Sequence, residues 1–365
     1  MKIVGLAMMV SPDFRVPLFH EVYPGNDPDA KQFSQVIDKL KNRYQAVCGE
    51  PKKITLVFDK GNNSTENIKH LRSGDWGFHV IGTLKHSQVK PLLDIKPSKF
   101  ESLSGERFEG MTVYRTTHPV YDEQMTVLVT YNPLLLEGQM QGIQKNIETC
   151  TQQLKDLQHK LSEREAGRIR KGKKPTVSSV QKRVNKILSK EYMKDMFEID
   201  VSPLERSVQL AYTFNESHLE YLKTYILGKT ILYTDNHGWS NEKIVAAYRS
   251  QSEIESSFKQ MKDHDHLDVR PIYHWTDQKI KVHAFYCVLA LRLCCLLNRE
   301  LHDHGIDMSV NRMLDVLADI KQVINVYENK EENKKTQKTF ALSRYTPEMK
   351  AIMETLDLEK YQLEG

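Results

Sequence analysis

NEKIVAAYRSQSEIESSFKQMK, residues 241–262, is the stretch on which the reading of the whole chain turns. It has the composition of a helix, with Ser240 placed to cap it and Glu242 in its first turn. Tyr248, Glu255 and Lys262 recur at seven-residue intervals, and Gln251 follows Tyr248 by three. At about 100° per residue, seven residues fall about 20° short of two turns, so these polar groups fan along one face. Ile254, Phe258 and Met261 form a neighbouring apolar stripe that can seat the helix on a sheet. An acid flanked by a tyrosine and a lysine suits phosphate chemistry. The carboxylate can hold a divalent cation and the lysine can neutralise a phosphate. Periodicity alone, however, is met better by an ordinary amphipathic helix with a charged outer face.

Upstream of this helix, Thr230 to Tyr233 reads as a strand that leads to Asp235. Nearer the start, residues 3–10 are a continuous apolar run of the kind found in a strand covered on both faces, and 16–23 completes a hairpin. Residues 29–45 have helical periodicity, with Phe33, Val36, Ile37 and Leu40 on one stripe. A buried-type strand at 54–58 ends at Asp59, and Ser64 caps a helix at 65–72. Residues 77–84 form a further strand. The order of these elements predicts an α/β layer with a mixed sheet. An acid just beyond a buried strand is aimed at the sheet edge where ligands collect. From position alone, Asp59 is better read as a turn or cap residue.

Residues 100–135 alternate in the manner of antiparallel strands. Residues 137–190 are helical in composition, with Ile143, Ile147, Leu154, Leu157 and Leu161 at near-helical spacing. From Arg164 to Lys190 there are ten basic residues and one acid, although the whole chain of 365 residues carries only +4. Arg170, Lys171, Lys173 and Lys174 are the candidates here for contact with nucleic acid. A solvated helical arm fits the same run equally well. Residues 278–303 form an apolar helix, and 326–340 read as a solvated linker.

With 39% hydrophobic and 27% charged residues, the chain has the composition of a globular protein rather than a disordered one. Five cysteines without a C-x-x-C pair argue against a zinc ribbon or a disulfide framework. Cys294 and Cys295 read as buried small hydrophobes, and His283 as a packing residue. His264-Asp265-His266 reads as a polar loop rather than a metal site. No segment looks transmembrane: the apolar stretch from Ala284 to Leu297 is short and contains Arg292. The apolar start lacks the cleavage site of a signal peptide.

The spacing Tyr248-x2-Gln251-x3-Glu255-x6-Lys262 resembles the Tyr-x2-Arg-x3-Glu-x6-Lys signature of bacterial insertion-sequence transposases of the DDE class. The neighbouring blocks resemble that family in the same order: residues 22–26, 56–61, 227–235, 267–275 and 280–291, the last including His283. The resemblance implies a ribonuclease-H-like mixed sheet with a large β-rich and helical insertion before the catalytic Glu helix. It maps the second catalytic Asp onto Asp59 and the Glu onto Glu255, which would together hold two Mg²⁺ or Mn²⁺ ions, and gives Asp235 a structural or capping place outside the catalytic set. Tyr248, Arg249, Gln251 and Lys262 would contact DNA.

The family's first catalytic Asp lies on a strand preceding the one read here at 3–10, so residues 1–365 alone are expected to transfer strands poorly. Asp13, Asp27 and Asp29 do not match that motif. The family's Arg is Gln251 here, which supplies no charge; Arg249 stands two positions earlier. The implied substrate is duplex DNA at the inverted-repeat ends, bound by a homodimer in the cytoplasm with the nucleoid and not at a membrane.

The boundaries expected from this reading are a core half at 1–99 and an insertion at 100–216, with a basic helical arm at about 137–190. A second core half follows at 217–303 and a tail at 304–365. Two rival readings remain: a non-catalytic remnant that interferes with or complements an intact transposase, and a ribonuclease-H-like nuclease unrelated to mobile elements.

Overall fold

The computed structural model describes residues 3–26, 29–48, 53–58, 61, 63–270, 273–327 and 337–361. The chain is a mixed α/β protein that divides into two compact units. The first comprises Met1–Val57, Gly61–Phe78 and Ala247–Gly365, and the second Phe58–Lys60 and His79–Ala246.

The first unit begins with a hairpin, β1 (Val4–Val10) paired antiparallel with β2 (Pro17–Pro24). The expectation that residues 3–10 are covered on both faces is not met, because all seven residues of β1 are only half-buried. The hairpin is a two-stranded sheet, and side-chain alternation sends Leu6 and Met8 to a core with Val16, Met261, Val288 and Leu291. Gly5 lies opposite Tyr23. A Cβ at Gly5 would come within 2.3 Å of the Tyr23 ring, so only glycine lets the ring lie across the partner strand.

After the hairpin come α1 (Asp29–Cys48), β3 (Thr55–Val57) and α2 (Thr65–Arg72). Ser64 caps α2 as expected, its side chain accepting from the Asn67 N–H at 3.1 Å. Lys41 of α1 reaches the other end, where its Nζ donates to the His70 and Ser73 carbonyls at 2.6 and 3.0 Å.

The second unit contains β4 (His79–Thr83), α3 (Lys90–Leu93), β5 (Glu101–Ser102), β6 (Thr112–Val120) and β7 (Glu123–Tyr131). It continues with α4 (Pro133–Glu165), α5 (Val177–Ile187), α6 (Met193–Met196), β8 (Phe197–Pro203), β9 (Val208–Phe214) and α7 (Glu216–Tyr221). Finally, β10 (Lys229–Thr234) leads to α8 (Asn241–Arg249). The sheet order is β4-β10-β7-β6-β5, with antiparallel neighbours. Residues 112–131, expected within the insertion, therefore share a sheet with 79–83 and 229–234. Met125 to Thr130 and Ile231 to Thr234 are buried, as interior strands should be. Gly82 sits opposite Tyr233, whose fully buried ring leaves no room for a Cβ.

At 33 residues, α4 is about 50 Å long. Its stripe of Ile143, Cys150, Leu154, Leu157 and Leu161 packs with Val180 and Val184 of α5 and Val208 and Leu210 of β9. The stretch 137–190, read as a helical arm, is two helices with a break between them. Residues 166–176 are non-helical, because Gly167 and Gly172 take positive φ values of +76° and +93°. Helix α5 then restarts on Thr176, whose hydroxyl accepts from the Ser179 N–H.

The chain returns to the first unit at Ala247, within α8, and continues with α9 (Gln251–Met261), α10 (Asp277–Asp303), α11 (Val310–Asp319), β11 (Gln322–Tyr327), β12 (Gln337–Leu342) and α12 (Pro347–Thr355). The ends of the expected linker at 326–340 belong to the antiparallel pair β11–β12, and residues 328–336 lie outside the described residues. By length and composition α10 could cross a bilayer, further than the apolar stretch at 284–297 suggested. In the fold it buries Val288, Leu291 and Cys295 against the hairpin, and Arg292 Nε donates to the Pro17 carbonyl at 2.7 Å.

Candidate active site

The expected single helix over 241–262 is two helices, α8 and α9, joined at Ser250. Ser240 caps α8 as anticipated, its hydroxyl accepting from the Lys243 N–H at 3.2 Å. At the junction, Ser250 Oγ donates to the Ala247 carbonyl at 2.6 Å and Ser252 Oγ to the Arg249 carbonyl at 3.0 Å. Hydroxyls that bond back onto the preceding turn compete with the helical ladder, so the serines flanking Gln251 mark the break. Tyr248 and Arg249 thus end one helix, while Gln251 and Glu255 lie on the next, and Lys262 caps the end of α9.

Helix α9 is seated by a narrower face than the sequence predicts. Ser257 and Met261 are buried, whereas Ile254 and Phe258 are only half-buried. Met261 joins the core under the β1–β2 hairpin, and Ser257 Oγ donates to the Glu253 carbonyl at 2.8 Å. Glu253 pairs with Arg15 at the hairpin turn, 3.4 Å away. Two residues separate Glu255 from Ser257, a rotation that puts Glu255 on nearly the opposite side of the helix. Its carboxylate is accordingly exposed. Lys262 is exposed too, its Nζ 5.9 Å from the centre of the Phe258 ring.

Asp59 and Lys60 lie outside the described residues; β3 stops at Val57. Tyr248, Arg249, Gln251, Glu255 and Lys262 all belong to the first unit, and Arg170, Lys171, Lys173 and Lys174 to the second. Among the described residues no three His, Cys, Asp or Glu side chains come together to hold a metal. Glu255 offers the hard oxygen donor that Mg²⁺ prefers, so the described residues fit such an ion in donor chemistry but supply only this one proposed ligand.

Asp235 has the structural place assigned to it. It is buried, accepts the Val80 N–H at 2.8 Å, and takes a hydrogen bond from His79 Nδ1 at 2.9 Å. Sequence reasoning missed Arg115, which fixes the loop leading to α8. It donates to the His237 and Trp239 carbonyls at 2.6 and 2.8 Å and to Asn241 Oδ1 at 3.0 Å. More than a hundred residues separate these partners, so no local pattern reveals the contact.

The residues after α9 form the expected polar loop. His264 Nδ1 lies 2.6 Å from Asp268, and His266 lies 3.0 Å from Asp315 and 3.4 Å from Asp263. The hydrogen bond to Asp315, more than the neighbouring Asp263, raises the His266 pKa above its ordinary 6.5. A raised folded-state pKa stabilises fully below the unfolded value, and the benefit is lost as pH climbs through the folded value. We expect His266→Gln to lower the melting temperature more at about pH 5.5 than at about pH 8.5. Equal losses at both pH values in thermal melts would remove the imidazolium from this account.

The family model described as a transposase DDE domain matches residues 3–292. The chain belongs to this family of DDE transposases. Members are transposases, with DNA as substrate, and generally use divalent metals. In this DDE transposase, the matched region contains the whole hairpin, the sheet of the second unit and the α8–α9 pair. No curated protein and no solved structure matches the chain.

Proposed function

We propose that the protein is the catalytic region of a bacterial insertion-sequence transposase, with a ribonuclease-H-like core, which cleaves and joins DNA strands at the element's inverted-repeat ends. The observation that carries this reading is the placement of Glu255. Its carboxylate is exposed on a helix whose opposite side is locked by Ser257 and Met261. A group that must hold a cation and meet a phosphodiester needs both access and a fixed backbone.

In this reading Asp59 and Glu255 hold the divalent ions. When bound, these supply positive charge to the attacking and leaving oxygens of the phosphodiester. Lys262 neutralises a DNA phosphate, while Tyr248 and Gln251 orient the strand by hydrogen bonding and Arg249 adds the charge that Gln251 lacks. Arg170, Lys171, Lys173 and Lys174 are proposed to touch the backbone further from the reaction. Two chains pair to hold two ends, and the protein works in the cytoplasm with the nucleoid.

The test is Mg²⁺-dependent nicking of a duplex bearing the element's ends. It uses residues 1–365 and, where coding sequence continues upstream of Met1, the longer product. Asp59→Asn should reduce nicking by on the order of 10²–10³-fold without reducing duplex binding. Undiminished nicking removes Asp59 from the site. Duplex binding with no nicking by either product favours the non-catalytic remnant instead.

A further inference from the structure

A cleft lies between α4 and α5, with a volume of about 510 Å³ and a lining that includes Cys150, Leu157 and Ile187. Lys160, Arg183, Lys186 and Lys190 stand around it, and Asp156 is the only acid in the lining. Asp156 already accepts from Gln152 Nε2 at 2.9 Å, and Lys190 donates to Asn146 at 2.8 Å. Lys160, Arg183 and Lys186 are exposed, with no hydrogen bond or ion pair from their side chains among the described residues.

The cations in the loop at 166–176 and at the end of α4 are used differently. Arg164 donates to the Lys171 and Gly172 carbonyls, Arg170 to the Gly167 carbonyl and Lys174 to the Glu205 carbonyl, while Arg168 pairs with Glu163. Arg164 and Arg170 thus hold the loop's own backbone and Lys174 ties it to the turn after β8, whereas the Lys171 and Lys173 side chains have no such contact among the described residues. Lys160, Arg183 and Lys186 around the cleft have no such return, and like charges three or four residues apart on a helix, as Arg183 and Lys186 are, disfavour it. The helix dipole favours cations at the end of α5, which accounts in part for Lys186 and Lys190, but it gives no reason for Lys160 or Arg183.

We infer that this cleft is a docking surface for the sugar-phosphate backbone of duplex DNA. Arg183 and Lys186 lie about one turn apart on α5, and Lys190 follows just beyond the helix end at Ile187. Arg183 and Lys186 are roughly 4.5 Å apart along the helix axis, a little over one phosphate step on one strand, and Lys190 extends the row. Lys160 adds a fourth charge from α4. Cations strung along a line fit a polyanion better than one small anion. The inference rests on the proposal that DNA is the substrate, and it adds a contact surface remote in sequence from Glu255.

The experiment measures affinity of the full chain for a labelled duplex by fluorescence anisotropy between about 50 and 200 mM salt. Replacing Lys160, Arg183 and Lys186 together with Gln should flatten the plot of log affinity against log salt by about 2 to 3 units. Lys160→Arg, Arg183→Lys and Lys186→Arg together should keep the parent slope. An unchanged slope in the neutral variant overturns the inference. So does an equal loss in the charge-preserving variant, which would mean that these side chains serve the fold. Nicking is followed on the same samples: lost nicking with an intact salt slope counts against the catalytic reading alone.

Discussion

Glu255→Gln should abolish Mg²⁺-dependent strand cleavage in whichever product nicks the element's ends, residues 1–365 or the longer one, by on the order of 10³-fold, while leaving the melting temperature within about 1 °C of the parent. The two halves of this expectation have separate causes. Gln keeps the shape and one carbonyl acceptor but loses the negative charge, and a hard cation is held chiefly by anionic oxygen. The carboxylate is exposed and contributes nothing to the core formed by Met261, Val16 and Val288, so folding has little to lose. Cleavage kinetics and a thermal melt on the same preparation check both halves. Full cleavage by the variant would refute the assignment of Glu255. A large drop in stability would mean that α9 is held by the side chain proposed to be free for chemistry.

Asp235→Ala should give the reverse pattern. This carboxylate is buried, and its removal strands the Val80 N–H and the His79 Nδ1–H that it accepts. Losing hydrogen bonds to a charged group and leaving a buried donor unmet costs about 3 kcal/mol. For a unit of this size that is a fall of roughly 6 to 12 °C in melting temperature. Asp235→Asn retains one acceptor and should lose less. Below its lowered melting temperature, the Ala variant should retain Mg²⁺-dependent cleavage. Unchanged stability together with lost cleavage would move Asp235 from the scaffold to the chemistry.

The contrast between these two acids shows how far local sequence reaches. Both stand in helix or strand contexts that a pattern can recognise, and the resemblance of the Tyr248, Gln251, Glu255 and Lys262 spacing to the family signature singled out Glu255 as the candidate for chemistry. The caps at Ser64 and Ser240 and the stripe along α4 were equally legible, because capping and helical periodicity act over three or four residues. The break at Ser250 was not foreseen. Seven-residue spacing assumes an uninterrupted helix, and the Ser250 and Ser252 hydroxyls divert the carbonyls that would continue it.

By itself, the amino-acid order determined the mixed α/β class and most of the helices and strands, which follow from short-range periodicity, and its resemblance to a family signature pointed to the family and the candidate acids. Tertiary structure alone decided which strands share a sheet, joining 112–131 to 79–83 and 229–234. It also decided that Arg115 braces the approach to α8 and that Arg164 and Arg170 are spent on loop carbonyls while Lys160 and Arg183 are not. The physical reason is that backbone pairing and charge contacts depend on distance in space. Folding brings together groups a hundred residues apart, for which a linear pattern carries no signal.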